Sequence, residues 1–184
     1  KERIFKECNY MVIATDMMAA GLPALERAIL DADFLDALAE MYPTCEAFYF
    51  QNCGKLFLAK EVRAHEIKGA DRFIYFGVNV RFFNIQGTND MLIDTVGMST
   101  IFLPDLQYHF HDIDPNWIVN HAYNLASYIL DNDNPIMDNE TIDGVFEGNM
   151  SWDVQWKCQY EESLIQPKRI VLDINMGQYA SGNR

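Results

Sequence analysis

From Trp152 to Tyr160 the chain alternates without a break. Trp152, Val154, Trp156, Cys158 and Tyr160 are apolar or aromatic, and Asp153, Gln155, Lys157 and Gln159 between them are polar. A repeat of two puts those five side chains on one side of a strand, which no helix can do. One face of a sheet must then be covered and the other wetted, so a second layer has to pack on the first.

Two helices can supply that layer. Asp114 followed by Pro115 is a cap and a first helical residue, and behind it Ile118, Ala122, Leu125 and Ile129, joined by His121 and Tyr128, draw an apolar stripe through Leu130. Pro23 opens another, in which Leu25, Ile29, Leu30, Phe34, Leu38 and Met41 recur at helical spacing until Pro43 ends the pattern. Strand patterns run over 10–15, 47–50, 56–59, 73–85, 91–96, 99–103, 106–111 and 169–174, with residues 51–55 as a hairpin turn and Gly97 between two of the runs. Residues 1–8 read as the end of a helix and 60–69 as a short exposed helix or turn. Helices and strands interleave irregularly, with hairpin-like pairs. The expected fold class is α+β, a mostly antiparallel (mixed) sheet with helices packed against it.

At 184 residues the chain is expected to form a single domain over 1–184, with a flexible polar tail over 178–184. It opens on Lys1 rather than Met, as an N-terminally trimmed piece would. Hydrophobic residues at 49% exclude a disordered chain. The 27 acidic residues against 14 basic give a net charge of -13, a field that repels phosphate backbones and anionic lipid and attracts a basic protein surface. Nucleic acid and membrane are therefore set aside as partners. No apolar run is long enough for a membrane helix and no signal peptide opens the chain. Cys8, Cys45, Cys53 and Cys158 contain no Cys-x-x-Cys pair and fit a reducing cytoplasm.

The densest place for chemistry lies between Arg81 and Pro115. His109 and His111 share one face of a strand, about 7 Å apart by strand rise. With a carboxylate such as Asp94, Asp105 or Asp114 they have the donors for zinc, iron or manganese. Two histidines at that spacing also arise by chance on a half-exposed sheet face, and that reading is preferred, so no metal and no cofactor is assigned. Arg81, on an otherwise aromatic strand face, could grip a carboxylate ligand with both arms, yet a structural ion pair with Asp94 or Asp105 is the stronger expectation. His121, on the apolar stripe, is expected to be a core histidine bonded to a backbone carbonyl. Arg81, Asp94, Asp105, His109 and His111 are thus the candidate ligand-binding residues. Asp131-x-Asp133 opens like a calcium loop, but Pro135, Ile136 and Ile142 stand where that loop needs a ligand, glycine and glutamate. Nucleophile elbows, phosphate loops and dinucleotide turns have no counterpart here.

The segments DTVGM (94–98), LPDLQ (103–107) and His109-Phe110, a following helix and the closing PKRIVLD (167–173) resemble a bacterial family of uncharacterised proteins, domain of unknown function 4261, over roughly the second half of the chain. The resemblance implies a bacterial origin and an intact fold. It brings no activity and no site residues.

Two functions from different classes follow. The preferred one is a non-enzymatic acidic interaction domain of immunity or regulatory type that masks a basic partner. The alternative is a metal-dependent or small-molecule enzyme using the His109/His111 face. Exposed aromatics would also suit a homodimer.

Overall fold

The computed structural model describes residues 2–16 and 19–182, apart from the side chain of Phe5. The described residues form five α-helices and eight strands in two sheets, mostly antiparallel with one parallel pairing, an α+β fold. They pack as two compact units, Lys1–Asn79 and Val80–Arg184. No described helix is long and apolar enough to cross a membrane.

In the first unit, α1 (Glu2–Glu7) precedes α2 (Ala24–Met41), the hairpin of β1 (Ala47–Phe50) and β2 (Lys55–Leu58), then α3 (Ala59–Arg63) and α4 (Asp71–Gly77). The hairpin falls where the turn-rich spacer placed it, with Phe50 opposite Lys55. Its core joins Leu35 and Ala39 of α2 to Phe57, Val62 and Phe76. Arg63 donates to the carbonyls of Ala39, Tyr42 and Cys45, serving the orphan acceptors at the end of α2. Arg72 of α4 reaches Asp33 and Asp36 of α2 at 2.6 and 2.5 Å.

Three expectations fail in this unit. Residues 10–15 form no strand, and Tyr10 and Ile13 are 94% and 74% exposed; a short apolar run makes a strand only where another strand meets it. The face of α2 that packs is Ala28, Ala32, Leu35 and Ala39, while Leu25, Ile29, Leu30, Phe34 and Met41 face outward. Alanines let neighbouring backbone approach closely, so small residues outcompeted the large stripe. The run over 73–85 is helix up to Gly77 and strand from Asn79, because continuous apolar sequence carries no period to separate a buried helix from a buried strand.

The second unit is a six-stranded sheet in the order β3-β4-β5-β8-β7-β6, from β3 (Asn79–Asn84), β4 (Met91–Val96), β5 (Asp105–Phe110), β6 (Thr141–Phe146), β7 (Asn149–Glu162) and β8 (Ile170–Asn175). Helix α5 (Pro115–Asp131) follows β5, with the Asp114 carboxylate accepting from the Asn116 amide as the cap. Ile118, His121, Ala122, Leu125 and Ile129 are buried as the stripe requires, whereas Tyr128 is half exposed. Residues 99–103 are not a strand: Gly97, at φ 139°, turns the chain into a 3-10 turn over Met98–Ile101. The Trp152–Tyr160 alternation lies within β7, where Trp156 and Cys158 are buried and Trp152 is 79% exposed.

Candidate functional site

Strand register sorts the second unit's side chains onto two faces. Ile93, Tyr108, Ile174 and Cys158 are successive partners across β4, β5, β8 and β7. That row lies beneath α5, since His121 of the helix bonds Tyr108. The next row, Asp94, Gln107, Asp173 and Gln159, points to the opposite face. Asp94, Asp105, Gln107 and Asp173 are all buried there, so this polar face must satisfy itself.

It does so around Arg169. The Arg169 Nε donates to Asp105 Oδ2 at 3.0 Å, Nη2 donates to Asp94 Oδ2 at 2.8 Å and to the Thr95 carbonyl at 2.5 Å, and Nη1 donates to the Pro167 carbonyl at 2.7 Å. Arg81 grips Asp94 with two parallel bonds, Nε to Oδ1 at 2.8 Å and Nη2 to Oδ2 at 2.5 Å. Asp105 Oδ1 accepts from Thr95 Oγ1 and from the Met98 amide, which the turn after Gly97 presents. Gln107 donates to Asp173 at 2.9 Å and accepts from the Leu164 amide at 2.8 Å, fastening the loop that leads to Arg169. Burial pushes the Asp105 carboxyl above its ordinary range, with Arg169, the Met98 amide and Ser99 pulling it back.

Three of the candidate residues thus meet: Arg81, Asp94 and Asp105 belong to one network, and its centre, Arg169, is a residue sequence reasoning passed over. The signal for it existed. Aspartates inside apolar strands require cations, and this unit holds few.

The histidines turn elsewhere. His109 Nε2 lies 3.8 Å from the Asp90 carboxylate, and the His109 carbonyl accepts from the Ser181 amide while Ser181 Oγ donates to Asp90. His111 lies just past the end of β5, its Nδ1 2.9 Å from Asp112 and its amide bonded to the Tyr179 carbonyl. The chain from Tyr179 to Ser181 is therefore fastened alongside both. Among the described residues no group of three or more His, Cys, Asp or Glu is arranged to hold a metal ion. Burial pushes the Cys158 thiol up to about 12, so it stays protonated and inert at neutral pH.

His121 is a core histidine bonded to a carbonyl, as its place on the stripe implied. Its Nε2 lies 2.8 Å from the Asp143 carbonyl, which can only accept, so that nitrogen carries the proton and Nδ1 accepts from the Tyr108 hydroxyl at 2.9 Å. Burial pushes its pKa down. The unfolded state then takes up the proton first as pH falls below about 6.5, and stability drops through that window. His121→Phe should remove that acid sensitivity. At pH 7.5 it should cost about 2 kcal/mol, because the buried Tyr108 hydroxyl loses its acceptor. Urea unfolding at pH 7.5 and 5 measures both; an unchanged slope of stability against pH would refute the assignment.

Two open grooves lie on this unit. One of about 580 Å³ is lined by Asn84, Asp90, Asp112 and their neighbours. The other, of about 480 Å³, runs between α5 and the β6–β7 turn.

Residues 94–175 match the family model Domain of unknown function (DUF4261). The resemblance read from the second half of the sequence therefore holds over this span. The segment takes in Asp94, Asp105, His121 and Arg169, and leaves out Arg81 and the whole first unit. No curated protein and no solved structure matches the chain.

Proposed function

We propose that this chain is a non-enzymatic, acidic protein-interaction domain of bacterial, regulatory or immunity type that binds a basic surface of a partner protein in the cytoplasm. The observation that carries the reading is where its charges point. Residues 80–184 contain 15 Asp and Glu against 5 Lys and Arg, and from Phe82 to Trp156 there are 12 acids and no Lys or Arg at all. Arg81 and Arg169, two of the five, are spent on buried Asp94 and Asp105. Lys168 pairs with Glu162 at 3.0 Å. Outside, Asp112, Asp131, Asp133, Asp138, Glu147 and Asp153 are exposed. Lys157 is also exposed, but the net excess of negative charge attracts the opposite sign, accelerates encounter and repels nucleic acid and anionic lipid. The candidate residues support the same reading, because Arg81 is bound to Asp94, and Asp94 and Asp105 are both bound to Arg169.

The test is co-purification with the full chain at 50 and 500 mM salt, beside a variant in which Asp112, Asp131, Asp133, Asp138, Glu147 and Asp153 are changed to Asn or Gln. A basic protein identified in the first condition and lost in both others supports the proposal. A partner held equally by the neutralised variant refutes it.

A further inference from the structure

We infer that the groove between α5 and the β6–β7 turn docks an extended segment of the partner, in which an apolar side chain is flanked by lysines or arginines. The inference rests on the proposed acidic-interaction reading and gives it a location.

The groove's volume of about 480 Å³ lies within the roughly 300–1,000 Å³ of clefts that hold ligands. Its floor and walls are mixed in a way that suits a peptide. Trp117, Val145 and Met150 offer apolar surface, and Asn120, Asn124 and Asn149 offer amides. Each amide carries both donors and an acceptor, the complement of a peptide unit, and none carries charge. The walls are preformed. Gly148, at φ 82° in the turn, lies so close to the Trp117 indole that a Cβ there would stand 2.9 Å from Nε1, so the ring rests on the turn. Asn124 Nδ2 donates to Met150 Sδ at 3.9 Å, joining the two walls at that point.

Charge decides the occupant. Every lining residue lies inside the stretch that has no Lys or Arg, and Asp143, Glu147 and Asp153 stand exposed on the same hairpin. A second copy of this unit would bring the same negative field and be repelled. Phe146 and Trp152 are 61% and 79% exposed on the same hairpin.

The experiment uses the full chain and three labelled heptapeptides: one alternating leucine with lysine, its glutamate counterpart, and oligolysine. Expected is tightest binding of the leucine–lysine peptide, at least tenfold over oligolysine, with none for the glutamate peptide. Asn124→Trp and Asn120→Trp, at exposed helix positions, should each fill the groove and weaken binding at least tenfold. Glu147→Lys should weaken it several-fold. Equal binding of oligolysine and the leucine–lysine peptide, insensitive to both tryptophan variants, overturns the groove and leaves the acidic reading standing. So does failure of both cationic peptides to bind when co-purification yields a basic partner. Failure in both experiments overturns the two readings together.

Discussion

Arg169→Met is expected to destabilise the protein by about 3–5 kcal/mol at pH 7.5, the usual cost of removing one partner from a buried ionic pair. The side chain is 9% exposed, and its guanidinium bonds both Asp105 and Asp94, which have no exposure at all. Asp94 keeps both bonds from Arg81. Asp105 keeps neutral donors alone, Thr95 Oγ1, the Met98 amide and Ser99, so the uncompensated charge falls there. The pH dependence follows with a definite sign. Burial already holds the Asp105 pKa above its ordinary value and Arg169 opposes that rise, so removing Arg169 lifts it further. A carboxyl whose folded pKa is raised costs stability in full above that pKa and nothing below its unfolded pKa of about 3.9. The deficit against wild type should therefore shrink between pH 7.5 and about 4, with the His121 contribution common to both proteins. Adding Asp105→Asn should recover part of the loss at pH 7.5. Urea melts giving the same deficit at both pH values would mean that lost packing, and not an orphaned charge, is the cause.

Much of this network was legible in outline. Arg81 on an aromatic strand face, with Asp94 and Asp105 in apolar runs, pointed to an internal ion pair, and Arg81 does grip Asp94. Buried aspartates called for a cation, but what sequence could not supply was the contact itself: Arg169 lies 64 residues beyond Asp105, and only the parallel pairing of β5 with β8 brings them together. A long-range pairing leaves no local pattern. The alternation that places Asp94, Gln107 and Asp173 on one face was readable strand by strand, but the register that aligns them was not.

The fold divides the same way. Short apolar or alternating runs with turn residues near their ends gave β1, β2, β4, β5 and β8 within a residue or two, and the Asp114-Pro115 start gave α5. Where the pattern was apolar on every side, as over 73–77, helix and strand could not be separated. In α2 the error was of a different kind: size stood in for contact, and alanines took the buried face. The large apolar residues it displaced, such as Phe34 and Met41, remain at the surface of the first unit.

Gly144→Ala should be the costliest single-methyl addition in the second unit, at about 3 kcal/mol, the upper end for overpacking a filled core. Across β6 and β7 the register runs Asp143 with Gln155 and then Gly144 with Ser151, so residues 152–154 loop out of β7 as a bulge. The bulge folds Val154 and Trp156 over Gly144. A Cβ there would lie 2.6 Å from Trp156 Cε2 and 2.7 Å from Val154 Cγ1. Neither can simply retreat. Trp156 is 1% exposed and its ring sits 5.0 Å from that of His121, which is held by Tyr108 and by the Asp143 carbonyl next door. The cost is steric, since Gly144 has no positive φ to lose. Gly148→Ala makes the control: it adds a methyl to the same hairpin at φ 82°, against the half-buried Trp117 and not a fully buried ring, and should cost about 1 kcal/mol. Repeating Gly144→Ala in a Trp156→Leu background should cut its penalty by more than half, because two of the three contacts it violates are gone and only that with Val154 remains. If the penalty is the same in both backgrounds, Trp156 is not what the methyl strikes, and the bulge, rather than the ring, sets the requirement for glycine.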